Sequence, residues 1–186
     1  MAKSSKGSQY ERDTCKQLSL WWTQDFEEPR DDIFWRTSQS GGRATTRAKR
    51  NVSTAYSQGD ITFIDPIGSP FIDTCLLELK RGYTKDIEVL NFVDKVKGEP
   101  ILVKWWTKGE KEREESGRKW TMIIFRRDRH KSCVMISSSM VKEIEMFYDT
   151  YPYNYIKVRR IPTTFKIFLL TDFLEHVHPE FFTREN

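Results

Sequence analysis

Apolar positions change their period several times along the chain, and each change marks a predicted element. From 7 to 24, Tyr10, Thr14, Leu18 and Trp21 recur at helical spacing, and Cys15 and Trp22 widen the stripe into the face of an amphipathic helix. Ser8 is placed to cap that helix, with Glu11 at its third helical position. Residues 26–32 are acidic and contain Pro29, which reads as a connection, and 33–37 carry the β-branched and aromatic residues of a short strand. Two apolar runs, 59–65 and 71–80, flank a turn holding Pro66, Gly68 and Pro70 and predict a β-hairpin. Ile87, Leu90, Val93 and Val96 predict a helix over 86–96. A second amphipathic helix covers 101–115, with Pro100 at its start and Gly117 past its end.

The remaining pattern alternates strands with short helices. Residues 120–125 are apolar throughout, as a central strand requires, and 133–136 return after a basic turn over 126–131. A helix over 137–149 carries Met140, Ile144 and Phe147 on one side. Strands follow at 153–158 and 165–170, then a short helix over 172–176 with Asp172 as its cap. The aromatic tail, including Tyr151, Tyr153, Tyr155, Phe165, Phe168, Phe173, Phe181 and Phe182, is expected to cover the core or form a dimer contact. Trp105 and Trp106 stand beside aliphatic residues, which favours burial over base stacking.

Composition narrows the setting. A chain of 186 residues can build one domain with a substantial core, and its net charge of +4 is compatible with a polyanionic partner without requiring one. Cys15, Cys75 and Cys133 are odd in number, widely spaced and set in apolar runs, as expected of reduced thiols in a cytoplasmic protein. No apolar run approaches the ~20 residues that span a bilayer, so no membrane partner is expected.

The candidate chemistry lies in 59–80. Side chains alternate along a strand, so Glu78 and Lys80 project from one side, and Asp60 opens the neighbouring run where its carboxylate can meet Glu78. Two carboxylates and a lysine at the end of an apolar hairpin are costly to bury without a cation or charge partner. Carboxylate oxygens suit Mg²⁺, which takes one or two of them with substrate phosphate, and Mn²⁺ is the expected substitute. The competing reading is a solvated hairpin edge, but Cys75, Leu76, Leu77 and Leu79 make this strand apolar on both faces.

A second region points to nucleic acid. No acidic residue occurs between Asp32 and Asp60, whereas Arg36, Arg43, Arg47, Lys49 and Arg50 cluster around Gly41 and Gly42 with Ser38 and Ser40 among the hydroxyls. Such a stretch suits contacts to a phosphate backbone, and Arg81 adds a cation directly after Lys80. The bland alternative is a solvated charged loop. His130, His176 and His178 read as surface histidines.

The two halves Gly59-Asp60-Ile61 and Glu78-Leu79-Lys80 resemble the PD-(D/E)xK nuclease superfamily, in which an acid opens one strand and E-x-K lies on the next. Gly7-Ser8-Gln9-Tyr10-Glu11-Arg12 resembles the opening of the Holliday junction resolvase branch, whose first-helix glutamate joins the metal cluster. The resemblance implies an α/β fold with a restriction-endonuclease-like αβββαβ core over about 7–136, a mixed central sheet flanked by helices, and an elaboration over 137–186 in one domain. It further implies a Mg²⁺ ion held by Asp60, Glu78, the main-chain carbonyl of Leu79 and Glu11, with Lys80 positioning or activating a water. Glu11 fits a capping box and this ligand role equally. The implied activity is cleavage within DNA by a homodimer, on branched DNA in the resolvase reading. A restriction- or homing-type endonuclease and a non-catalytic nucleic-acid-binding protein are the alternatives.

Overall fold

The computed structural model describes residues 6–37, 58–149, 154–160 and 163–184. Ser38, Ser40, Arg43, Arg47, Lys49 and Arg50, with Tyr151 and Tyr153, lie outside the described residues.

The first apolar stripe folds as expected. Helix α1 (Lys6–Trp22) buries Tyr10, Thr14, Cys15, Leu18, Trp21 and Trp22 on one face. It starts earlier than predicted, so Ser8 sits inside the helix rather than capping it. The Ser8 hydroxyl instead accepts from Arg12 Nη1 at 3.0 Å and Arg36 Nη1 at 2.8 Å. The next two strands, β1 (Phe34–Arg36) and β2 (Ile61–Phe63), pair antiparallel as a ladder of their own.

The predicted hairpin is not formed. β2 pairs with β1, and the segment read as turn plus strand start is a 3-10 turn (Pro66–Gly68) running into a short helix, α2 (Ser69–Thr74). Asp65 caps the turn by accepting from Ile67 N at 3.1 Å, and Pro66 and Pro70 occupy first-turn positions where a missing N–H costs nothing. Phe71 and Ile72 are therefore helical core residues, and Phe71 packs on Trp21 and Trp22 with ring centroids 5.3 and 5.6 Å apart.

Strand β3 (Cys75–Arg81) follows, then helix α3 (Ile101–Ser116) and strand β4 (Trp120–Arg126). Gly117 closes α3 in the left-handed conformation at φ 71°, as its position predicted. Between β3 and α3 the expected helix over 86–96 reduces to a 3-10 turn (Val89–Phe92). Leu90, Val93 and Val96 stay exposed, so that stripe gains no packing to hold a helix, while Ile87 and Phe92 reach the α3 side of the core.

The chain continues through β5 (Cys133–Ser137), α4 (Ser138–Tyr148), β6 (Ile156–Arg160), β7 (Thr163–Leu169), α5 (Leu170–His176) and α6 (Glu180–Thr183). Ser137 caps α4 by accepting from Met140 N at 3.0 Å. Asp172 lies within the first turn of α5 instead of capping it. Five strands form a mixed sheet in the order β3-β4-β5-β7-β6, in which only β3 and β4 run parallel. The alternation along β3 and β4 separates two cores. Leu77, Leu79, Met122 and Ile124 join the cluster with α1, α2, α4, α5 and α6, whereas Ile123 and Phe125 join the one under α3. The result is the α/β arrangement expected, a mixed sheet flanked by helices. Phe165, Phe168, Phe173, Phe181 and Phe182 are buried, so this part of the aromatic tail serves the core. Trp105 and Trp106 are buried as well. Among the described residues no helix is long and apolar enough to cross a membrane. Cys15, Cys75 and Cys133 are free thiols.

Candidate active site

The outer edge of β3 is where the chemistry-bearing residues gather. Glu78 and Lys80, two apart, point to the α3 face, and Glu78 is only 5 % exposed. Lys80 Nζ donates to Glu78 Oε2 and lies 3.7 Å from Asp60 Oδ2. Asp60 thus reaches the same ammonium from a separate segment, although β2 does not extend the five-stranded sheet.

Several bonds hold Asp60 there. Its N–H donates to Leu77 O at 2.7 Å, and its Oδ2 accepts from Leu79 N at 2.8 Å. Its carbonyl accepts from Thr37 N at 3.0 Å, while Thr37 Oγ1 donates to Gly59 O at 3.0 Å. Gly59 has φ +88°, and a Cβ there would stand 3.0 Å from Leu77 O, so the close approach of the two segments depends on glycine. The buried Arg118 donates from Nη1 to Gln58 O at 2.8 Å and steadies the turn one residue earlier.

Burial, followed by the neighbouring Glu78 charge, raises the Asp60 carboxyl above the ordinary range; Lys80 and the Leu79 N–H oppose this only in part. For Lys80, burial favours the neutral amine, but Glu78 and Asp60 outweigh it and the net shift is upward. Glu112, on α3, belongs to the same electrostatic cluster. Burial raises its carboxyl first, then the Glu78 charge and a carboxyl–carboxyl hydrogen bond to Glu78, against the pull of Lys108 Nζ at 3.2 Å.

Sequence reasoning placed Asp60, Glu78 and Lys80 together, and they meet. Glu11 stands at the rim, paired with Arg36 Nη1 at 3.5 Å, and its charge is the weakest of the influences that raise the Asp60 carboxyl. Among the described residues no three His, Cys, Asp or Glu side chains are gathered closely enough to hold a metal ion. Leu79 meets Asp60 through its N–H. Arg81 follows Lys80 in the chain but turns to the α1 face, against Tyr10. Three contributors were missed. Glu112 sits in the charged back half of α3 and carries no signal beyond helical spacing, Arg118 opens a basic pair with Lys119 after a helix-ending glycine, and Thr37 directly follows the three-residue strand β1.

The donor set fits a hard divalent cation: it offers oxygen ligands only, and two carboxylates already converge on one positive charge. Residues 2–183 match the family model described as "Phage putative PDDEXK endonuclease". No curated protein and no solved structure matches the chain.

Proposed function

We propose a metal-dependent DNA endonuclease activity centred on Asp60, Glu78 and Lys80 for this chain, which belongs to the phage PDDEXK endonuclease family. The observation that carries the reading is the convergence of the Asp60 and Glu78 carboxylates on the Lys80 ammonium at the edge of β3. Asp60 and Glu78 would hold Mg²⁺, or Mn²⁺ in its place, with the Leu79 carbonyl completing the protein's share and Glu11 supporting it from the rim. When bound, the ion supplies a more acidic water and offsets charge on the phosphate. Lys80 holds the attacking water and stabilises the negative charge that builds on the phosphoryl oxygens. The tie from Leu79 N to Asp60 keeps both acids in one frame, so little reorganisation accompanies substrate binding.

Branched DNA is the substrate class we favour, cut by a homodimer in a resolvase-like manner. Support comes from the Glu11 segment of α1 and from the acid-free basic stretch between Asp32 and Asp60. The test is cleavage of four-way-junction, flapped and linear duplex DNA, with Mg²⁺ and with EDTA, beside the Asp60→Ala protein. Paired cuts on the junction alone, lost in EDTA and in the variant, are expected. Cutting of linear duplex would replace the resolvase reading with a restriction-type one, and DNA binding without cleavage would remove the enzyme.

A further inference from the structure

On the α1 face, behind the carboxylate cluster, the ends of the parallel pair β3 and β4 place two arginines side by side. Arg81 and Arg126 are register partners, and Gly82 N donates to Arg126 O at 3.0 Å across the same rung. Both guanidinium groups lean on the buried ring of Tyr10, with Cζ 5.6 Å (Arg81) and 4.7 Å (Arg126) from its centroid. The Tyr10 hydroxyl is tied to Ser132 Oγ at 3.2 Å, which fixes the ring beneath them.

This arrangement is unfavourable as it stands. Like charges directly opposed across strands repel. Arg81 Nε, Arg81 Nη1 and Arg126 Nε are buried without a hydrogen-bond partner among the described residues, a costly state for donors of a charged group. Among the described residues the anion paired with them is Asp128, whose Oδ1 lies 3.2 Å from Arg81 Nη2. Asp128 is half exposed on the turn between β4 and β5, and it is the only acid in a run otherwise made of Arg127, Arg129, His130 and Lys131.

We propose that Arg81 and Arg126 form a binding site for a backbone phosphate of the DNA, and that the Asp128 carboxylate holds this site until a phosphate displaces it. Guanidinium donors match phosphate oxygens in forked geometry, and a carboxylate is the natural stand-in for that anion. A phosphate seated here would be flanked by the cationic turn on one side and by the β3 edge, with Lys80 on the opposite sheet face, on the other. It would fix the strand's position without reading its sequence. The inference rests on the endonuclease reading and adds to it a particular phosphate contact.

The test uses the full chain and a fluorescently labelled duplex, with Ca²⁺ in place of Mg²⁺, over a series of KCl concentrations. Arg126→Met keeps the stem that covers Tyr10 but loses the charge. Its affinity should fall roughly tenfold, and the log–log salt slope should shrink by about one. Asp128→Asn removes the competing carboxylate from an exposed turn and should bind several-fold more tightly, and this variant keeps the test sound if Arg126→Met fails to fold. A folded Arg126→Met with an unchanged salt slope, or Asp128→Asn that binds no better than wild type, overturns the phosphate site while leaving the endonuclease reading intact. Wild-type protein that neither binds nor cuts DNA overturns both.

Discussion

Leu79 donates its backbone N–H to Asp60 Oδ2 at 2.8 Å, which ties the first acid of the site to the strand that carries the second. The bond needs an oxygen at Asp60 but not a charge. Asp60→Asn should therefore keep the fold and lose the chemistry. We expect cleavage to drop by roughly 10²–10³-fold, the scale of removing one preorganised electrostatic group from an active site. Circular dichroism should be unchanged. Near-normal cleavage by Asp60→Asn would take Asp60 out of the mechanism.

The same substitution reports on pH. Burial and Glu78 hold the folded Asp60 carboxyl above its ordinary value of 3.8. The folded state therefore keeps a proton that the unfolded chain releases, and stability falls as pH rises through the window between 3.8 and the raised value. Above that window the buried charge is a constant deficit, which Asp60→Asn does not carry. In EDTA the variant should melt higher than wild type at neutral pH, with the gap closing as pH drops below 3.8. Lys80 acts at the other end. Its raised pKa gives stability that is full below 10.5 and lost as pH climbs past the folded value. A melting difference that is flat across the acid range would contradict this account of Asp60.

Lys80 neutralises two carboxylates at once, with 18 % of its side chain exposed against 7 % for Glu78. Lys80→Ala leaves both acids facing each other without a cation. In EDTA we expect a loss of roughly 3 kcal/mol, on the order of 5–10 °C in melting temperature. Added Ca²⁺ or Mg²⁺ should restore much of it, since an ion can replace the missing charge. Cleavage should vanish while DNA binding stays close to wild type, one lysine being a small part of a basic surface. If divalent ions raise the melting temperature of wild type and variant equally, the ammonium and the ion do not share a place.

The parts of this molecule legible from sequence are those where one periodicity meets one partner surface. The α1 stripe, the apolar run of β4 and the Gly117 stop each read correctly because local pattern and burial agree. Asp60, Glu78 and Lys80 could be brought together because strand alternation fixes two of them and a neighbouring segment supplies the third. Pairing was harder. Pro66 and Pro70 are turn residues and first-turn helix residues alike, and only the burial of Phe71 and Ile72 on α1 decides between them. The stripe of Leu90, Val93 and Val96 has helical spacing but no surface to cover, so spacing alone misled. Glu112 joins Glu78 only because α3 packs across β3, a contact between residues far apart in the chain.

Gly59 offers the sharpest test of how the site is held. Its φ of +88° lies in the region that side chains disfavour, and an added Cβ would press on the Leu77 carbonyl at 3.0 Å and on Leu76 Cδ1 at 3.3 Å. That carbonyl already accepts from Asp60 N at 2.7 Å, so the push falls on the bond that docks Asp60 against β3. Gly59→Ala should cost roughly 1–3 kcal/mol, about 3–10 °C in melting temperature. Where the variant is still fully folded, cleavage should fall about tenfold or more, because small misplacements of a reacting group are expensive. Gly7→Ala is the matching control: it lies in α1 with nothing within 4 Å of the added methyl, and should be neutral or slightly stabilising. A folded Gly59→Ala protein that cuts as fast as wild type would show that the docking of Asp60 on β3 tolerates displacement, and that the tie through Leu77 and Leu79 does not set the geometry of the site.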